Sequence, residues 1–347
     1  MRNIVKWTFY IFVTTVTVVG VFSYLADNAK SLIEMSLGIE TTQEVEEVYQ
    51  EEISENYEEL VIETIMEFPK APLEFLDEVL PELTPDPDRE WGDVVEVDLS
   101  KGTAVGNFYV NDTSETNLDL AEVSAYDLPF TITDYSQPVV LIYHTHTTES
   151  YLSGFTGYYY TDETFKNSDP DRSVVMVGEA LQEALAEYGI IAIHDTTIHD
   201  SPVYSGSYTR SLETIEENLE KYPSIQITID VHRDSFTASD GTKYKPTVTI
   251  DGQDAAQIMI ITGADPTGEL DFDNWEDNLI FATKIQSVAS EMYPGLMRPL
   301  MFCQRKYNMD VTTGSLLFEI GNEVNTFAEA KYSATLIADV LYAVLME

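Results

Sequence analysis

Cysteine is almost missing from this 347-residue chain: Cys303 stands alone, so no intrachain disulfide can form. Zinc motifs built on two or four cysteines are excluded with it. Basic residues are scarce as well. Only 18 Lys and Arg face 61 Asp and Glu, a formal net charge of −43. A surface of that sign repels phosphates, so nucleic acid is not an expected partner. It also repels anionic lipid headgroups, so any membrane attachment has to be hydrophobic. Histidine is sparing too, with 5 in the whole chain, and no internal repeat is visible.

One stretch lacks charge altogether. Trp7–Leu25 (WTFYIFVTTVTVVGVFSYL) follows Arg2 and Lys6. At 1.5 Å per residue it spans about 28 Å, close to a bilayer's hydrocarbon core. Trp7, Tyr10 and Tyr24 suit its two interfaces, and the preceding basic residues keep the N-terminus cytoplasmic. The run exceeds a usual signal-peptide core and no A-x-A site precedes Asp27. We therefore read residues 1–27 as an uncleaved transmembrane anchor, with the rest of the chain extracytoplasmic.

Glutamate dominates from about Ile39 to Arg89, and Pro69, Pro72, Pro81, Pro85 and Pro87 interrupt what helical periodicity there is. Like-charge stretches of this kind stay solvated. Residues 28–93 are read as an acidic spacer and residues 94–347 as the catalytic domain. Within that domain strands and helices alternate. Strands are expected at Val139–Tyr143, Ile190–Ile193, Ile225–Val231, Gln257–Thr262 and Leu316–Ile320. Helices are expected at Ser173–Tyr188, Tyr208–Lys221, Trp275–Met292 and Phe327–Met346. The alternation predicts an α/β fold with a mostly parallel sheet flanked by helices.

Functional groups in such sheets collect beyond the carboxyl ends of strands. The first strand here ends in His144-Thr145-His146-Thr147-Thr148-Glu149, and the third in Asp230-Val231-His232-Arg233-Asp234. The last strand contains Phe318-Glu319-Ile320. Imidazole and carboxylate are natural zinc ligands, and a catalytic zinc keeps a position for water. His146 and Glu149 can be presented by one loop and His232 by another strand. His144, in the first loop, is the alternative ligand and ranks behind His146. Zinc brings the pKa of its water down to about 7, and a carboxylate must then move the proton. Glu319, set in an apolar run that raises its pKa, is the expected proton carrier. Arg233 is expected to stabilise the oxyanion. His194 and His199 are assigned to structure, Asp195 and Asp200 to fixing loops, and Cys303 to packing.

With these residues in view, the chain resembles the stage II sporulation protein P family, the peptidoglycan hydrolases of endospore-forming bacteria. The resemblance covers roughly Asn107 to the C-terminus. It rests on VLIYHTHTTESY (140–151), IHDTTIHD (193–200), SGSYTRS (205–211), IDVHRD (229–234), YPGLMRP (293–299) and FEIGNEVNT (318–326). It implies a zinc-dependent N-acetylmuramoyl-L-alanine amidase with a muramoyl amidase-like fold and an accompanying endopeptidase activity. The implied setting is septal wall degradation in the intermembrane space during forespore engulfment. The implied partners, besides peptidoglycan and the membrane, are sporulation proteins D and M. Aligned with the broader amidases, His146 and His232 fall on their histidine ligands and Glu319 on their catalytic glutamate. Their glutamate ligand lies just before the first helix, where this chain has Asp169, Asp171 and Arg172. Glu149 is chosen on chemical grounds, with Asp171 the reserve. A metallo-carboxypeptidase competes within the enzyme class. The alternative from another class is a non-catalytic, peptidoglycan-binding scaffold of the engulfment complex.

Overall fold

The computed structural model describes residues 85–346. The expected anchor over 1–27 and residues 28–84 of the expected spacer lie outside the described residues. Among the described residues no helix is long and apolar enough to cross a membrane. In chain order the strands are β1 (Trp91–Val97), β2 (Thr103–Val105), β3 (Phe108–Thr113), β4 (Val140–Tyr143), β5 (Tyr158–Tyr160), β6 (Ala192–His194), β7 (Ile227–Asp234), β8 (Lys243–Ile250), β9 (Gln253–Ala256), β10 (Ile258–Gly263), β11 (Leu300–Cys303) and β12 (Gly314–Asn322). The helices are α1 (Leu120–Val123), α2 (Val175–Glu187), α3 (Ser207–Lys221), α4 (Trp275–Met292) and α5 (Phe327–Met346), with a 3-10 turn at Pro170–Arg172. β1 begins three residues ahead of the expected start of order at Val94.

Eight strands form the main sheet in the order β2-β3-β11-β10-β12-β7-β4-β6. β12, β7, β4 and β6 run parallel, as do β10, β11 and β3. These two blocks meet antiparallel at β10 and β12, and β2 turns back on β3. The sheet is therefore mostly parallel, as expected, but mixed: its β10–β12 and β2–β3 pairings are antiparallel. The reason lies between β7 and β10. No helix crosses over there; the β8–β9 hairpin fills that stretch and joins a second sheet, ordered β5-β1-β8-β9. Without a crossover helix the chain has no route to a parallel return, and β10 enters reversed.

Both faces of the main sheet are covered, and residue parity sorts the side chains between them. Val140 and Ile142 of β4, Ile227, Ile229 and Val231 of β7, and Leu316, Phe318 and Ile320 of β12 pack into the larger core with α2, α4 and α5. Leu141 and Tyr143 point the other way, onto Ile215 of α3 and Ile225. The helices follow from spacing and caps. α2 repeats apolar residues at Val177, Ala180, Leu181, Ala184 and Leu185, then stops at Gly189, whose φ of +74° suits the left-handed C-terminal turn. α5 opens with a capping box: Thr326 N donates to Glu329 Oε2 at 2.9 Å and Glu329 N donates to Thr326 Oγ1 at 3.2 Å. The buried Lys245 ties that helix start to the second sheet through Glu329 and Glu96.

Candidate functional site

The carboxyl ends of β4, β7 and β12 lie side by side, and His232 and Glu319 are register partners across β7 and β12. Partners in register on parallel strands show their side chains on the same face. The loop after β4 reaches over to meet them. Its threonines hold it in place. Thr145 donates from N and Oγ1 to Asp230 Oδ1 and Oδ2 at 2.8 and 2.6 Å. Thr148 donates in the same two-pronged way to Asp200 at 3.1 and 2.7 Å. Thr147 Oγ1 donates to the carbonyls of His144 and Thr197 at 2.9 and 2.8 Å. The alternation of HTHTTE thus divides labour, with threonines fastening the loop and His146 and Glu149 left to face the strand ends.

His146 and His232 meet edge to face, their ring centroids 5.2 Å apart. His232 Nδ1 is 3.4 Å from Glu149 Oε2, and its Nε2 is 2.9 Å from Asp230 Oδ1. That second contact is off the hydrogen-bond axis, which leaves Nε2 without a hydrogen-bond partner among the described residues. His146 Nδ1 and Glu319 Oε2 are orphaned and buried in the same way. His232 Nε2 keeps its ion pair with Asp230, but the two atoms with no partner at all, on His146 and Glu319, are costly unless something else binds them. The donor set of two imidazoles and a carboxylate suits zinc, so the residues fit the cation that the sequence implies. As the side chains stand, the three do not close around a point: His146 Nε2 is turned to the Tyr204 hydroxyl at 2.9 Å. Among the described residues, one set of three groups has ligand atoms within 4.8 Å of one another, namely Glu96, Asp254 and Glu329. Two of its members, Glu96 and Glu329, are already ion-paired with Lys245.

The electrostatics divide the carboxyls. Burial would lift Glu149, but the neighbouring His232 and Arg233 outweigh it and hold its pKa below the usual carboxylate range. Burial likewise opposes charge on His232, yet Asp230 and Glu149 prevail and raise its pKa well above the ordinary value. His146 is lowered, first by burial and then by His232. Glu319 is pushed up to about 8, chiefly by burial. A carboxyl that holds its proton near neutrality, next to ionised Glu149, is the arrangement that acid–base chemistry needs.

Two expected site residues point away. His144 shares the parity of Ile142, toward α2. Its Nδ1 donates to the Val231 carbonyl at 2.8 Å and its Nε2 lies 2.8 Å from His194 Nε2. Burial drops the pKa of His144 to about 3 and that of His194 to about 4, so the pair is neutral. With both nitrogens engaged, His144 is no ligand here. Arg233 is on the opposite face from His232. Its guanidinium donates to the carbonyls of Ser150, Asp234 and Phe165 and pairs with Glu149 and Glu323. That occupation corrects the oxyanion role; Arg233 instead fixes Glu149, whose Oε2 also accepts from Arg233 N at 3.2 Å. The reserve ligand Asp171 is exposed on the 3-10 turn. Glu149, though early in sequence, is tied to the start of α2 through its carbonyl, which accepts from Val174 N at 2.8 Å.

Sequence reasoning missed the tyrosines. Tyr204 stacks on His146 at 4.5 Å and Tyr208 meets it edge-on at 5.7 Å. Asp230, passed over as part of a strand, supports both Thr145 and His232. The available signal was the SGSYTRS stretch and the alternation Thr228, Asp230, His232 on one strand face.

Comparison with known proteins adds the following. The sequence profile of stage II sporulation protein P (SpoIIP) matches residues 31–342. Stage II sporulation protein P of Bacillus subtilis (strain 168) is 31% identical over 219 residues, which cover 58% of this chain and 50% of the relative. The match thus spans about half the length of that curated relative. Among solved structures, the CwlD amidase from Clostridioides difficile, in complex with the GerS lipoprotein, has a TM-score of 0.38 at 12% identity, over 60% of this chain and 96% of that one. The N-acetylmuramoyl-L-alanine amidase AmiC2 of Nostoc punctiforme has a TM-score of 0.34 at 10% identity, over 60% and 95%.

Proposed function

The chain belongs to the stage II sporulation protein P family, and from that premise we propose that it is a membrane-anchored, zinc-dependent N-acetylmuramoyl-L-alanine amidase acting on septal peptidoglycan. One observation carries the reading: buried His146 Nδ1 and Glu319 Oε2, without a hydrogen-bond partner among the described residues, lie at the ends of β4 and β12 on either side of His232, whose Nε2 is paired with Asp230 and whose Nδ1 is 3.4 Å from Glu149. His146, His232 and Glu149 would hold the zinc, with Asp230 behind His232. The metal would supply Lewis-acid activation of a water at neutral pH. This chain's own residues do the rest. Asp230 and Glu149 fix the plane of the His232 ring, and Arg233 fixes Glu149 from behind. Glu319 exchanges a proton with the water and with the leaving amide nitrogen, its pKa near 8 allowing either direction around neutrality. Tyr204 and Tyr208 wall the site against His146 and narrow its access to bulk water.

In this reading residues 1–27 anchor the chain, the acidic spacer holds the catalytic domain off the membrane, and hydrolysis takes place in the intermembrane space. Sporulation proteins D and M are the proposed associates, and an endopeptidase activity at the same site is part of the proposal. The test is hydrolysis of purified sacculi by the full chain in detergent. Stem peptides should be released from muramoyl residues, and release should stop with a chelator and return with zinc. Replacing His146 and His232 together by Ala should abolish it. Undiminished release by that double variant would overturn the reading.

A further inference from the structure

A cavity of about 230 Å³ opens next to the segment that carries Glu149. At about 30 Å³ per water it has room for roughly seven waters, or for one amino-acid side chain and its backbone. Residues 148–150 pair with 165–167 to form its wall: Asn167 N donates to the Thr148 carbonyl at 2.7 Å, Ser150 N donates to the Phe165 carbonyl at 3.1 Å, and Glu149 bridges Lys166. The cavity is therefore built from the same backbone that presents Glu149. Lys166 links it to the other imidazole as well. Its ammonium lies 4.3 Å from the ring centre of Tyr204, which itself stacks on His146.

The lining is unusual for this protein. With 18 basic residues in 347, a cation is rare at any position, yet Lys166 and Arg172 both line this one cavity, against a single carboxylate, Glu163. Of the two, Lys166 is only loosely engaged and Arg172 is not engaged by a described residue. Lys166 has Asp200 no nearer than 3.7 Å, and Arg172 makes no side-chain hydrogen bond or ion pair to a described residue. Ser153 adds a hydroxyl, whereas that of Ser150 already donates to the Arg172 carbonyl at 2.8 Å. A free guanidinium, an ammonium held only by a 3.7 Å ion pair and the Ser153 hydroxyl form a receptor for a carboxylate, and a guanidinium can grip one through two parallel bonds.

We propose that this cavity is a subsite for a carboxylate on the peptide side of the substrate, with Lys166 and Arg172 as its recognition cations. The inference rests on the hydrolase reading for the identity of the ligand. It also gives a reason why so acidic a chain can accept an acidic peptide: the charged residues that line the cavity are net positive, opposite in sign to the whole chain.

The test uses the full chain in detergent, treated with a chelator so that a bound metal cannot capture the carboxylate. The probes are the free tripeptide alanyl-glutamyl-diaminopimelate and the same peptide with its carboxyls amidated, titrated calorimetrically. The acidic peptide should bind, and added salt should weaken it. Lys166→Met and Arg172→Met should each weaken it about 3-fold or more at low salt, and the amidated peptide should bind poorly to all forms. Since Lys166 also approaches Asp200, Arg172→Met is the variant free of any effect on the catalytic loop. Equal binding of the acidic peptide by wild type and double variant, equal binding of the amidated peptide, or no binding at all would overturn the proposal. Sacculus hydrolysis by the same proteins after zinc is restored separates the two readings. Cation-dependent binding without hydrolysis keeps the subsite and removes the amidase; hydrolysis with an unchanged KM in the double variant does the reverse.

Discussion

Replacing Glu319 by Gln should make the metal-free protein more stable while removing its chemistry, and the gain should depend on pH in one direction. Burial raises the Glu319 carboxyl from 4.5 to about 8. In the unfolded chain the group ionises near 4.5. Between that pH and about 8, the folded state holds a proton that the unfolded state has lost, so stability falls as pH rises. Below 4.5 both states are protonated and the effect vanishes. At pH 7, about 2.5 pH units above the unfolded value, the cost approaches about 3 kcal/mol at about 1.4 kcal/mol per unit. Glu319 keeps some contact with solvent and lies in the field of His232, so the gain expected for Glu319→Gln is about 1–3 kcal/mol. At about 2–4 °C per kcal/mol for a region of this size, the midpoint should rise by roughly 2–10 °C at pH 7 and hardly at all near pH 4.5. Thermal unfolding of chelator-treated wild type and variant across that range measures it. A shift that is the same at both ends, or a lower midpoint at pH 7, would refute the claim that burial keeps this carboxyl protonated.

Two further outcomes follow from the residues that point away from the site. Arg233→Met removes one buried partner from both Glu149 and Glu323, leaving them only His232 and Lys243, and should cost about 3 kcal/mol in denaturant unfolding; normal stability with lost turnover would restore the oxyanion role instead. Gly178→Ala puts a methyl 2.6 Å from His194 Nε2 and 2.8 Å from His144 Nε2. It should separate that pair and lower stability by about 1–3 kcal/mol despite the better helix propensity of alanine; an unchanged or raised midpoint in thermal unfolding counts against the tight packing of α2 on the two rings.

Much of the frame was legible in the chain because it is locally encoded. The periodicity over Trp275–Met292 and Phe327–Met346 marks both helices to the residue, since an apolar stripe at 3.6-residue spacing has few other uses. The scarcity of histidine made His146 and His232 conspicuous at strand ends. The direction of β10 was not legible, because a hairpin between β7 and β10 reads locally as two more strands and says nothing about which sheet they join. The tyrosines escaped for a similar reason: Tyr204 lies 58 residues from His146, and no local pattern records a contact made at that distance.

By itself, then, the sequence determined composition, the helices, the strand ends that hold the candidate site and the membership of a family, all of which depend on residues close together along the chain. Only the tertiary structure decided which polar groups share a face. One step of strand parity separates His232 from Arg233, and the turn after β4 separates His144 from His146. Neighbours in sequence are therefore sent to opposite sides of the sheet, one pair member to the orphaned cluster with Glu319 and the other into the packing beneath it.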